Sequence, residues 1–142
     1  MKEILFRGKT KNRKENEWIE GSFVTGKHLY DHTPVAFIYE TDTYIDGRGC
    51  IGNYHGEEVD PETVGQFSGV MDHKDEVKIF SGDIIKDITE YTGELFEVKY
   101  DINLAAFIIR NPIDDSWDYL GYGVWEVVGN IHDNPELLGG SK

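Results

Sequence analysis

Cysteine is almost missing: Cys50 is the only one in 142 residues. A single thiol cannot close an intramolecular disulfide, so a secreted disulfide scaffold is excluded. Proline is sparse, at 4, and there is neither a low-complexity tract nor an internal repeat. No apolar run approaches the roughly 20 residues that span a bilayer. Met1 to Arg7 contains no apolar core of the signal-peptide kind, so the sequence predicts no signal peptide and a cytoplasmic location. No segment carries a helical stripe. Bases are few as well, 14 against 27 acids, for a formal charge of −13. A field of that sign repels phosphate backbones and anionic membranes, so neither nucleic acid nor membrane is an expected partner. A basic partner fits better. Lys9, Lys11, Arg13 and Lys14 are a local exception and read as a solvated hairpin loop.

What is present points to β structure. The chain is 39% hydrophobic and 13% aromatic, with 16 glycines, a mix that suits short strands joined by tight turns. Expected strands in the first half are Ile4–Arg7, Trp18–Val24 and Pro34–Glu40. Within the second, Gly21 marks a bulge or a close approach of another backbone. Thr41 to Glu58 reads as an irregular Gly- and Asp-rich excursion with a short strand near Thr43–Ile45. Further strands are expected at Val64–Ser68, Ile84–Ile88, Leu95–Tyr100, Ala105–Arg110 and Tyr122–Ile131. Their spacing is that of a small barrel or sandwich. The fold class is therefore mainly β. A small N-terminal β-sheet region spans residues 1–60. An SH3-like or barrel-like antiparallel β domain spans 61–138, and 139–142 form a tail. Ile84, Phe67, Phe96 and Val127 are the expected core, with Phe67 at its centre.

Patterns that carry chemistry are weak. Gly47-Arg48-Gly49-Cys50-Ile51-Gly52 matches a dinucleotide fingerprint in letters, but Asn53-Tyr54-His55-Gly56 will not start the helix that a pyrophosphate needs. Asp42 and Asp46 imitate a calcium loop whose third and twelfth positions, Tyr44 and Asn53, are wrong. His28 and His32 have metal spacing only on a helix, and Pro34 follows closely. His55, His73 and His132 lie among turn residues. Glu57, Glu58, Asp60 and Glu62 form an acidic run that could gather with Asp72 and Asp83 around a hard cation, although such runs are usually solvated faces. Asp83 and the Asp60-Pro61-Glu62-Thr63 segment also suit turns. Cys50 lies beside Arg48 with no base in view. No catalytic, cofactor-binding or metal-ligating residue is therefore assigned, and no cofactor is expected.

Several blocks carry a resemblance. They are Ile4 to Lys9, Glu17-Trp18-Ile19-Glu20-Gly21, Val59 to Gly69, Ile79-Phe80-Ser81-Gly82-Asp83-Ile84-Ile85-Lys86, and Val128 to Leu137. On these the chain resembles the YopX-like family of phage and prophage proteins along nearly its whole length. Members usually carry an Asn-Gly turn in the charged loop. Here Asp72 to Lys78 has no glycine and is one residue longer, and Ser81 stands where members often have Glu. The resemblance implies a mainly β fold and a phage context, and it supplies no catalytic residues.

Two functional expectations follow. The first is a non-catalytic module for binding a host or phage protein, with self-association into a homo-oligomer. The alternative is a small metal-dependent or hydrolytic enzyme using the acidic run at residues 57–62 with a histidine.

Overall fold

A computed structural model describes residues 3–11, 17–40, 48, 56–89 and 92–139. The chain divides into two compact units, one covering Glu3–Gln66 and the other taking up the chain from Phe67. The protein is mainly β, as its sequence predicts. Its strands make two antiparallel sheets, neither closed into a barrel.

The first unit is built from β1 (Phe6–Lys9), β2 (Trp18–Lys27), β3 (Pro34–Glu40) and β4 (Glu57–Glu58). Their order is β4-β3-β2-β1, and the first two residues of β5 (Gly65–Met71) lie along the other side of β1. Period-two alternation chooses the faces. Ile19 on β2 and Ala36 and Ile38 on β3 point one way and cluster with Val59. Pro34 opens β3, where a missing N–H costs the ladder least. Lys9 to Lys11 continues past β1 as backbone bonded to the segment at 58–60: Asp60 N–H donates to the Lys9 carbonyl (2.9 Å) and Lys11 N–H to that of Glu58 (3.0 Å).

In the second unit the rest of β5 pairs with β6 (Lys78–Phe80). A five-stranded sheet follows, made of β7 (Asp83–Asp87), β8 (Leu95–Asp101), β9 (Ala106–Arg110), β10 (Trp117–Tyr119) and β11 (Trp125–Asn130). Its order is β10-β9-β8-β7-β11, so β10 and β11 are its edges. Ile79, Ile85, Val98, Ile109, Leu120 and Trp125 form the buried cluster, with Phe96 and Val127 half-buried against it. Ile84 and Phe67 are buried as expected. Phe67 is not the centre, however. It packs on Phe80 with ring centroids 5.7 Å apart and belongs to neither apolar cluster.

The turn between β6 and β7 explains the Ile79 to Lys86 block. Gly82 takes a positive φ of 93°, which costs glycine least. The buried Asp83 carboxylate accepts the Phe80 N–H at 2.8 Å. Gly82 N–H reaches the Val98 carbonyl and its own carbonyl receives Ile131 N–H. Asp83 is therefore a structural acceptor within the turn that its sequence context suggests.

Candidate functional site

Most residues singled out in the sequence serve the backbone. Asp60 accepts Glu62 N–H at 3.1 Å and so caps a single 3-10 turn at Pro61–Thr63. Thr63 then donates its hydroxyl to the Asp60 carbonyl and accepts Lys9 N–H at 2.9 Å. Glu58 pairs with Lys11 at 3.6 Å, and Lys9 lies 5.6 Å from the Trp18 ring centroid. The acidic run thus fastens its own loop. Among the described residues no three His, Cys, Asp or Glu side chains come together in a group that could hold a metal. His28 approaches Asp31 at 3.4 Å and His73 approaches Glu126 at 4.0 Å. The dinucleotide-like and calcium-like stretches (Arg48 apart), the short strand near Thr43–Ile45, and Arg13, Lys14, Cys50 and His55 lie outside the described residues.

Asp72 replaces the glycine that the charged loop lacks. Its Oδ1 accepts the N–H groups of Glu76 (2.9 Å), Val77 (3.1 Å) and Lys74 (3.2 Å). Asp75 then takes a positive φ of 56°, a conformation that short polar side chains tolerate. The Glu76 N–H, followed by those of Val77 and Lys74, holds the Asp72 carboxyl below the usual carboxylate range. A carboxyl depressed on folding stabilises above its unfolded pKa, and that contribution is lost as pH falls through the folded value. The melting-temperature gap between the wild type and Asp72→Ala should therefore be widest at neutral pH and should narrow below about pH 4. A gap that does not change with pH would remove the charge from this account.

A concave site with a distinctive chemistry lies among the described residues of the second unit. Edge strand β10 puts Trp117 and Tyr119 outside, and a 3-10 turn at Leu120–Tyr122 follows. Leu120 enters the core and accepts the Trp125 indole N–H at 2.8 Å. That anchor fixes the chain on both sides and leaves Tyr122 79% exposed. The rings of Trp117, Tyr119 and Tyr122 meet edge to face, with centroids 5.5 and 5.8 Å apart. They border an open cleft of about 340 Å³ whose lining also includes Phe96, Ile109 and Trp125. Asp87, Glu94 and Asp118 supply carboxylates to it. Among the described residues the lining holds no His or Cys, and the hydroxyl of its Ser116 donates to Asp114 at 2.6 Å. What it can do is hold a group by stacking, burial and charge.

Sequence reasoning missed this cleft because its residues are scattered from Asp87 to Trp125. One signal was available: Trp117-Asp118-Tyr119-Leu120-Gly121-Tyr122 packs three aromatics into six residues beside a turn.

The model of the family described as YopX protein matches residues 5–139. The chain belongs to the YopX protein family. That match covers all of the second unit's strands and nearly all of the first unit. No curated protein matches the chain. Among the described residues of this YopX protein, no helix is long and apolar enough to cross a membrane.

Proposed function

We propose that this YopX-family chain is a non-catalytic protein-binding or assembly module, encoded by a phage or prophage and acting in the host cytoplasm. The family resemblance supports the phage context. The observation that carries the binding role is the aromatic wall of Trp117, Tyr119 and Tyr122 on a sheet edge, next to an open cleft. Tryptophan and tyrosine supply large contact area at low entropic cost and are enriched in interfaces and their hot spots. An edge strand adds unpaired backbone groups that a partner strand can use.

A second copy of the chain is among the partners this reading includes. Leu29 and Tyr30, 77% and 85% exposed, project at the tip of the β2–β3 hairpin. His28 N–H donates to the Thr33 carbonyl at 2.8 Å and His32 N–H to that of His28 at 3.0 Å, which shapes the tip. Trp18 is less available, because Arg7 lies 4.8 Å from its ring centroid.

The test is affinity capture from host and phage lysates with two baits, the wild type and a Trp117→Ala/Tyr122→Ala variant of unchanged melting temperature. Proteins held by the wild type and lost from the variant are the expected result. Identical captured sets would overturn the role of this surface. Light scattering that gives a mass above 16.2 kDa would identify a second copy as a partner.

A further inference from the structure

We propose that the cleft beside β10 takes a lysine or arginine side chain presented by a partner polypeptide. This rests on the binding reading above and names the chemistry of its central contact. Three acidic residues line the cleft, Asp87, Glu94 and Asp118, and among the described residues its lining includes no Lys, Arg or His. Two of the three are partly engaged. Asp87 Oδ1 accepts the Thr89 N–H and hydroxyl, and Asp118 Oδ1 accepts the Tyr119 N–H at 2.7 Å. Their second oxygens receive no hydrogen bond among the described residues. Glu94 forms no ion pair among those residues. Among the described residues the cleft therefore carries negative charge with no cationic side chain in its lining, on a chain that is itself at −13.

The walls suit the same ligand. Half-buried Phe96, with Ile109 and Trp125 beneath it in the lining, offers apolar surface to an aliphatic stem. Lysine and arginine bury such stems while the charged head stays near water and acceptors. The Trp117, Tyr119 and Tyr122 rings carry negative faces that attract an ammonium or guanidinium. A volume of about 340 Å³ lies at the small end of ligand sites, which fits one side chain better than a cofactor. An anionic ligand would meet only repulsion. A sugar could stack on the rings but would leave the three charges unanswered. Among the described residues β10 is an edge of its sheet, which favours a polypeptide over a free small cation, because an edge can pair with the backbone that carries the side chain.

The experiment titrates the full chain with a blocked Gly/Ser peptide carrying one central lysine, its acetyl-lysine twin, an arginine version and spermidine. The Trp117 indole resonance reports binding in each arm. We expect the lysine and arginine peptides to shift it saturably. Tyr122→Ala and Glu94→Gln should each weaken them about two- to five-fold, the size of an exposed cation–π or ion contact. Both positions are exposed, so the variants should fold, and an unchanged circular dichroism melt is the control. Acetylation should cost at least as much as either substitution. If the acetyl-lysine peptide binds equally well, the cation proposal falls and the binding reading stands. Tighter binding of spermidine than of either peptide overturns the polypeptide source. If no probe shifts the resonance, the cation proposal is overturned, and the capture experiment alone decides the binding reading.

Discussion

Trp125→Ala should cost about 3–5 kcal/mol, the usual range for emptying a buried aromatic site. Trp125 is 4% exposed and sits among Ile79, Ile85, Val98, Ile109 and Leu120. Phe96 meets its ring nearly edge on, with centroids 6.0 Å apart and planes at 71°, a preferred aromatic geometry. Its indole N–H is also the only side-chain bond drawn to the Leu120 carbonyl among the described residues. Truncation therefore removes packing and strands a carbonyl together. Trp125→Phe separates the two effects. It keeps much of the ring and loses the donor, so it should cost about 1–3 kcal/mol, the range for a buried polar group left unsatisfied. Urea melts followed by far-ultraviolet circular dichroism give both values. With a whole-protein stability of about 5–15 kcal/mol, the alanine variant forfeits a large share. A loss below about 1 kcal/mol would mean that the cluster does not depend on Trp125.

The sequence marked where strands run better than which side chains they bury. Pro34–Glu40 is bounded as expected, because a proline opens it and a Gly- and Asp-rich stretch of sequence follows. The expected strands around Ile84, Leu95, Ala105 and Trp125 differ from β7, β8, β9 and β11 only at their ends. Two three-residue strands were not read. Lys78–Phe80 runs into the turn signal of Phe80-Ser81-Gly82-Asp83, Trp117–Tyr119 follows a polar loop, and neither is long enough to show alternation. Centrality is a tertiary property. Phe67 and Trp125 both stand in apolar runs, and only the pairing of β11 with β7 places Trp125 over the cluster while Phe67 turns to Phe80. The cleft was illegible for the same reason. The density of aromatics from Trp117 to Tyr122 is visible in the sequence, but their exposure depends on the Leu120 anchor and the indole bond, which local pattern does not show. The loop at Asp72 to Lys78 shows the opposite case. Its missing glycine is visible in the sequence, and the compensation is chemical: one carboxylate oxygen takes three N–H groups.

Gly21→Ala should be among the most damaging small substitutions in the first unit, because the sequence reading of a bulge or a close approach resolves into the second. Strands β2 and β3 pair without a register shift from Gly21↔Glu40 to Lys27↔Pro34, so no bulge is present. A Cβ at Gly21 would instead strike the Tyr39 carbonyl oxygen, with the Tyr39 carbonyl carbon at 2.6 Å and the Glu40 Cα at 2.8 Å. These are backbone atoms, and no rotamer change moves them. Gly21 also pairs with Phe6 on β1, so β2 cannot shift away without disturbing its other neighbour. The clash must open the β2–β3 ladder beside Ile38, which is fully buried. Overpacking typically costs about 1–3 kcal/mol; with two ladders constrained, the upper end or beyond is expected. Gly26 provides the control within the same strand. A Cβ there meets nothing within 4 Å, and the residue is exposed. Gly26→Ala should change stability by less than about 0.5 kcal/mol, or raise it slightly by restricting the unfolded chain. Paired urea melts compare the two. Equal losses would mean that glycine in β2 matters for flexibility alone. A large loss at Gly21 with none at Gly26 would assign the requirement to the Tyr39 backbone.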